Sequence, residues 1–236
     1  MNTLLLTSSE LSAGSGRVRV HDRRLHHVRT VHRATVGDTL RVGILGGMMG
    51  TGVITGLDSD ALELDVTLDR DPPAPLPLTL ILALPRPKVV RRVLQAVAAL
   101  GVKRLVLLGA WRVERSYWDS PMLSADAIRE QLVLGLEQAC DTILPEVTVR
   151  QRFKPFVEDE LPALASETRC LLAHPAATAA CPHDLRAAVT LAIGPEGGFT
   201  AYELAMLEAR GFEPVSMGPR VLRVEHAVPA LVGRLF

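Results

Sequence analysis

Up to about residue 70, apolar positions come in short runs broken by turn residues, with no long helical period. Arg41–Ile44, Thr51–Leu57 and Ala61–Leu68 read as strands. Between them lie Gly46-Gly47-Met48-Met49-Gly50 and Asp58-Ser59-Asp60, both turn-like. The glycine cluster has neither G-x-G-x-x-G nor G-K-[ST], so it predicts a hairpin turn rather than a nucleotide loop. Leu25, Val28 and Val31 recur at helical spacing and predict a short helix over 26–36. A small β-barrel fits residues 1–70. Asp71-Pro72-Pro73-Ala74-Pro75-Leu76-Pro77 then places four prolines in seven residues, which interrupts both helix and central strand and marks a linker over 71–77.

From residue 78 to 236 the pattern changes to alternation. Leu78–Leu84 is a fully apolar strand, and Lys88–Leu100 a helix with Val89, Val93, Val97 and Leu100 inward, stopped by Gly101. Arg104–Leu108 is the next strand. Ser124 caps a helix carrying Ile128, Leu132 and Leu136 along one face. Strands at Glu146–Arg150 and Arg169–Ala173 flank a helix near Val157–Ala165, and a final helix runs Val224–Leu235. Such alternation predicts an α/β fold with a parallel sheet covered on both faces.

Composition narrows the class. At 236 residues, 48% hydrophobic and 22% charged, the chain is long and apolar enough for a substantial core. Leu78–Leu84 is too short to span a bilayer and the N-terminus lacks a signal-peptide pattern, so a cytoplasmic location is expected. Cys140, Cys170 and Cys181 include no C-x-x-C pair, which argues against disulfides and against a zinc site. Formal net charge is zero, yet Arg17, Arg19, Arg23, Arg24, Arg29, Arg33 and Arg41 crowd one early segment, with His21, His26, His27 and His32 interleaved. That patch either contacts RNA phosphates or is a solvated face in a chain whose lysines are limited to Lys88, Lys103 and Lys154.

The densest chemical signal lies later. The apolar run Val189–Ile193 ends in Gly194-Pro195-Glu196-Gly197-Gly198-Phe199, followed by Thr200-Ala201-Tyr202-Glu203. The Thr-x-x-Glu spacing predicts a capping box opening a helix over Ala201–Arg210, with Leu204 and Leu207 on one face and Gly211 as its stop. A further strand, Glu213–Met217, runs into a second loop, Gly218-Pro219-Arg220-Val221-Leu222-Arg223. Glycine loops at the carboxyl ends of parallel strands are where open α/β sheets bind ligands. Without a phosphate-binding lysine, a backbone-rich loop suits a purine and ribose better than a triphosphate.

These two stretches, Ile193–Thr200 with Glu203 and Met217–Glu225, closely resemble the motifs of SPOUT (α/β-knot) methyltransferases, and specifically the RsmE family, which methylates N3 of a uridine in 16S ribosomal RNA. Leu172-Ala173-His174-Pro175 is similar to that family's first cofactor loop. The resemblance covers the whole chain. It implies an N-terminal PUA-like β-barrel that binds RNA, then a SPOUT domain with a trefoil knot, in a homodimer acting on 16S rRNA, within the 30S subunit.

On that resemblance, S-adenosylmethionine is held by Leu172, His174, Pro175, Ile193, Gly194, Pro195, Glu196, Gly197, Gly198, Met217, Gly218, Val221 and Leu222. Arg223 and Arg220 stabilise charge on the target base, and Glu225 accepts its proton. Alternatively Arg223 and Glu225 pair with each other or cap the last helix, and Glu196 braces its loop. RNA contacts fall to the early arginines and to Arg112 and Arg115, in the loop Trp111–Trp118, whose aromatics serve either base stacking or packing in a dimer interface. No metal is implied. The chain departs from the family pattern at Glu137-Gln138-Ala139-Cys140-Asp141-Thr142, where Glu-Gln-Ser-Gly-Arg is usual, and at Glu225-His226-Ala227, where Glu-Thr-Ala is usual. Residues expected to face RNA have therefore changed. Two other readings stand beside this one: a SPOUT enzyme acting on 23S rRNA or tRNA, and a non-catalytic RNA-binding knot protein.

Overall fold

The structure, a computed structural model, describes residues 2–11 and 16–236. Residues 1 and 12–15, part of the segment read as β, lie outside the described residues. The chain forms two compact units, Met1–Ala74 with Val133–Leu144, and Pro75–Leu132 with Pro145–Phe236.

The first unit is a five-stranded mixed sheet in the order β1-β3-β4-β5-β2, made of β1 (Leu4–Leu6), β2 (Arg17–Val20), β3 (Thr39–Ile44), β4 (Met49–Leu57) and β5 (Leu62–Arg70). Only β1 and β3 pair in parallel; the other neighbours are antiparallel. The glycine cluster is indeed the β3–β4 hairpin turn, with Gly43 opposite Met49. Register shifts after Met49 and Ile54 bend the long β4. Alternate residues of β2 and β5 point inward, so Val18, Val20, Leu62, Leu64 and Val66 join Leu4, Leu6, Val42 and Ile54 in one apolar core.

Helix α1 (Arg23–His27), prolonged by a π turn over Val28–His32, closes this core. It starts three residues before the predicted helix because Asp22 caps it, accepting from the Arg24 N–H at 2.9 Å. It ends at Arg33, which takes a left-handed φ of 52°. Leu25 and Val28 are buried as the spacing predicts, but Val31 is exposed because the π turn rotates it outward.

The second unit is a six-stranded, wholly parallel sheet in the order β11-β9-β10-β6-β7-β8. Its strands are β6 (Leu78–Ala83), β7 (Arg104–Leu108), β8 (Glu146–Arg150), β9 (Arg169–Ala173), β10 (Val189–Ile193) and β11 (Glu213–Val215). β6 and β10 are buried along their whole length, as central strands between two helical layers must be. The helices are α2 (Pro87–Ala99), the short α4 (Phe153–Pro155) and α5 (Leu161–Leu164) joined by a π turn, α6 (Ala201–Glu208) and α7 (Val224–Leu235); α3 (Ala125–Ala139) starts in this unit and from Val133 belongs to the first. The buried stripe of α2 is Val90, Val93, Leu94, Val97 and Ala98, so Val89 and Leu100 sit at its margins. β6 leads outward through β7 to β8, whereas β9, β10 and β11 fill the other side. The switch between β6 and β10 sets the carboxyl ends of β9, β10 and β11 side by side.

Candidate active site

Three loops leave those neighbouring strand ends. Polar contacts hold the first and third together: the His174 N–H donates to Val215 O at 2.9 Å, Cys181 N–H to Ser216 O at 2.8 Å and Ser216 N–H to Ala179 O at 2.9 Å. Ser216 Oγ accepts from the Gly218 N–H at 3.0 Å and lies 3.4 Å from Pro175 O, which tightens the same junction. His174 Nδ1 accepts from the Ala176 N–H at 3.1 Å, so its ring faces its own loop. The middle loop turns on a Gly198 N–H to Pro195 O bond of 2.8 Å, with Gly198 at φ 72°; Gly218 sits at φ 107° in the third loop. Both are left-handed positions at which a Cβ is strained.

Between them the loops enclose a cavity of about 530 Å³, within the range of small-molecule sites. His174, Pro175, Ile193, Gly194, Pro195, Glu196, Gly197, Gly198, Met217, Gly218, Val221 and Leu222 all line it. Of the residues expected to hold a cofactor, Leu172 alone is off the wall: it is fully buried in the sheet core, beneath the loop. Ala173, Phe199, Val224, Ala227 and Leu231 complete an apolar lining, and Arg112, Arg220 and Arg223 supply charge. Arg220 and Arg223 are exposed and, among the described residues, meet no acidic partner. Glu225 is turned away: it does not line the cavity and lies 3.7 Å from Arg92 of α2. Glu196 braces its loop, accepting from the Arg86 N–H at 3.3 Å.

Two tethers lie outside the reach of local sequence reasoning. The capping box forms as predicted, with Glu203 accepting from Thr200 N–H at 2.8 Å and from Thr200 Oγ1 at 2.9 Å. The same carboxylate is only 3% exposed and also accepts from the Trp111 N–H at 2.7 Å. Beside it, Arg112 donates to Gly197 O. The loop after β7 is thus pinned to the motif loop at two points. Burial pushes the thiols of Cys170 and Cys181 up, which keeps both protonated and inert.

The early arginines divide sharply. Arg24 is 8% exposed, is paired with Glu10 and Asp22, and donates to Leu5 O at 2.6 Å. Contrary to expectation it has no face left for a phosphate; it is the polar anchor of the first unit. Burial opposes the charge of Glu10 and Asp22, but hydrogen bonds and charge from Arg24 hold both carboxyls below their ordinary values. Arg23 makes a two-pronged bond to Glu137, at 2.9 and 2.8 Å. Arg17, Arg19, Arg29 and Arg33 are exposed, Arg19 lying 3.5 Å from Glu63. Arg112 and Arg115 are exposed as well. The altered segment is largely turned inward: Glu137 is 1% exposed and Asp141 and Thr142 are buried, Ala139 and Cys140 are half-buried, and Gln138 is exposed.

A parallel α/β sheet with three adjacent carboxyl-end loops closing on one cavity is the arrangement of a small-molecule-binding α/β unit. The model of the RNA methyltransferase domain family matches residues 72–235, and the chain belongs to this family. It is 32% identical over 237 aligned residues to the ribosomal RNA small subunit methyltransferase E of Treponema pallidum, covering 98% of this chain and 88% of that one. With ribosomal RNA small subunit methyltransferase E 1 of Borreliella burgdorferi it shares 23% identity, over 98% and 95% of the two chains. The crystal structure of a ribosomal RNA small subunit methyltransferase E from Neisseria gonorrhoeae, bound to S-adenosyl methionine, superimposes with a TM-score of 0.73 at 23% identity, over 98% and 95% of the chains. The fold is therefore a PUA-like β unit followed by a SPOUT unit.

Proposed function

We propose that the protein transfers a methyl group from S-adenosylmethionine to N3 of a uridine in small-subunit ribosomal RNA. The observation that carries this reading is the cavity of about 530 Å³ closed by three backbone-rich loops, with Arg220 and Arg223 exposed at its wall and meeting no acidic partner among the described residues. The residues present fit the cofactor. Ile193, Leu222 and Leu231 offer apolar faces for a purine, the glycine loops offer bare N–H and C=O groups for its edge and the ribose, and no lysine or metal-binding cluster competes among the described residues. Two relatives named as small-subunit rRNA methyltransferases align along 98% of the chain, which supports rRNA as the acceptor.

When bound, the cofactor supplies an electrophilic methyl on a sulfonium. The chain's own task is positioning, since holding donor and acceptor in line supplies most of the rate. Loss of the N3 proton spreads negative charge onto the flanking uracil carbonyl oxygens, and the guanidinium groups of Arg220 and Arg223 stabilise it. Glu225 serves as proton acceptor only after leaving Arg92, whose 3.7 Å approach favours instead a role in fixing the start of α7. In the first unit, exposed Arg17, Arg19, Arg29 and Arg33 hold the RNA backbone, as Arg112 and Arg115 do in the second. The active species is a homodimer.

Incubation with methyl-labelled S-adenosylmethionine and rRNA tests this. Wild-type protein labels small-subunit rRNA, and Arg223→Ala lowers kcat by about 100-fold while calorimetric cofactor affinity stays unchanged, as expected for a group that acts on transition-state charge. Labelling of 23S rRNA or tRNA instead would sink the acceptor assignment, and cofactor binding without any transfer would favour a non-catalytic RNA-binding protein.

A further inference from the structure

A second cavity, of about 510 Å³, opens in the same unit on the far side of the loop after β7. Its walls are Gly109, Ala110, Trp111, Phe153, Lys154 and Tyr202, and its floor includes the buried carboxylate of Glu203. Trp111 is 84% exposed and Tyr202 59%, and both line this cavity. Burying a large aromatic stabilises a chain by roughly 1.5–3 kcal/mol, so two left in solvent around one concavity need an explanation. The oxygens of Glu203 already accept from Trp111 and Thr200, so this carboxylate is committed to holding the two loops.

We infer that this cavity is a stacking site for a second nucleotide of the substrate RNA, one that flanks the methylated position, held between the rings of Trp111 and Tyr202 with its phosphate toward Lys154. Three observations converge. Two aromatic faces at a concave mouth accept a planar base of any identity. The cationic side chains Arg112, Arg115, Arg152 and Lys154 are exposed on the two flanking segments, with Glu158 at 3.7 Å from Lys154 as a surface counter-charge too weak to hold it. Trp111 and Arg112 are consecutive, one walling this cavity and the other the cofactor cavity, and Glu203 and Gly197 pin that dipeptide at both residues. A strand whose target base enters one cavity therefore passes the mouth of the other. The base at the second site is read by shape, without sequence preference.

The inference rests on RNA being the acceptor, so its test separates the two claims. Hexauridylate is titrated into the cofactor-free protein while tryptophan emission is followed, and KM for rRNA is measured separately by methyl transfer. Stacking on Trp111 quenches the emission of the wild type; in Trp111→Phe the quench is lost although a ring remains to hold the base. Trp111→Ala and Tyr202→Ala each weaken hexauridylate binding and raise KM for rRNA by about 10-fold or more, with kcat and the melting temperature unchanged. Trp111→Phe restores most of the KM loss, which a merely structural role would not predict. Quenching in a protein that transfers no methyl to rRNA would support the stacking site and sink only the acceptor assignment. Wild-type affinity and KM in Trp111→Ala would overturn the stacking site. So would a sedimentation shift from a larger to a smaller species in that variant, which would mark the face as an interface between copies.

Discussion

Replacing Glu203 by alanine removes one side chain but releases three donors in two separate loops. Its carboxylate, 3% exposed, accepts from the Trp111 N–H at 2.7 Å, the Thr200 N–H at 2.8 Å and Thr200 Oγ1 at 2.9 Å. A buried donor left without an acceptor costs about 1–3 kcal/mol, and loss of a helix cap costs about 1. Water entering from the adjoining cavity, which Glu203 lines, satisfies part of the deficit. Taking the lower figure for each donor gives a loss of about 3 kcal/mol, a large share of a typical 5–15 kcal/mol of stability. Glu203→Gln keeps an oxygen for Trp111 but turns an amide N–H toward the Thr200 N–H, so it loses about half as much. Both tryptophans, Trp111 and Trp118, lie in the second unit, so urea unfolding followed by their emission reports that unit's transition. The cofactor affinity of Glu203→Ala falls as well, because the loop that positions Arg112 against Gly197 is no longer fixed. A loss below about 1 kcal/mol, or equal losses for alanine and glutamine, would refute the reasoning about these three donors.

Further outcomes follow from single positions. Cys140 holds a left-handed φ of 56°, a conformation that costs a non-glycine residue about 1 kcal/mol or more, so Cys140→Gly raises the melting temperature of the first unit by a few degrees in calorimetry. Gly218→Ala forces a Cβ into φ 107° and weakens S-adenosylmethionine binding by about 10-fold in calorimetry while the chain stays folded. Glu10 and Asp22 are held below their ordinary values of 4.5 and 3.8 in the folded chain, so their contribution is complete above those values and is lost as pH falls through the folded ones. Urea midpoints of the first unit should therefore drop progressively as pH falls below 4.5, and drop less steeply in Glu10→Gln, whose side chain no longer titrates.

Much of this architecture is legible in the sequence because it depends on local chemistry. The proline-rich stretch, the strand–helix alternation, the hairpin glycines and the Thr200–Glu203 capping box are each specified within a few residues. The cavity-lining loops after β10 and β11 are legible for the same reason, as glycine and proline fix their turns. Leu172 is the exception: the strand, not the loop, claims it, and an apolar residue before a loop looks alike in either place. What escapes the sequence is pairing across long separations. Arg24 resembles its arginine neighbours until the fold sets Glu10 and Leu5 O beside it. Glu137 resembles a surface residue until Arg23, over a hundred positions away, meets it. The second acceptor role of Glu203, toward Trp111, is equally invisible, although a Glu already committed to a capping box beside a central sheet is a signal that its outer oxygen needs a donor.

The most direct test of the central claim is nucleoside mapping of ribosomal RNA by mass spectrometry, comparing a strain that lacks this protein with its parent. The account predicts loss of one 3-methyluridine from 16S rRNA, restored by the wild-type gene and not by Arg223→Ala. An unchanged 16S profile, with a methyl group missing from 23S rRNA or tRNA, would contradict it.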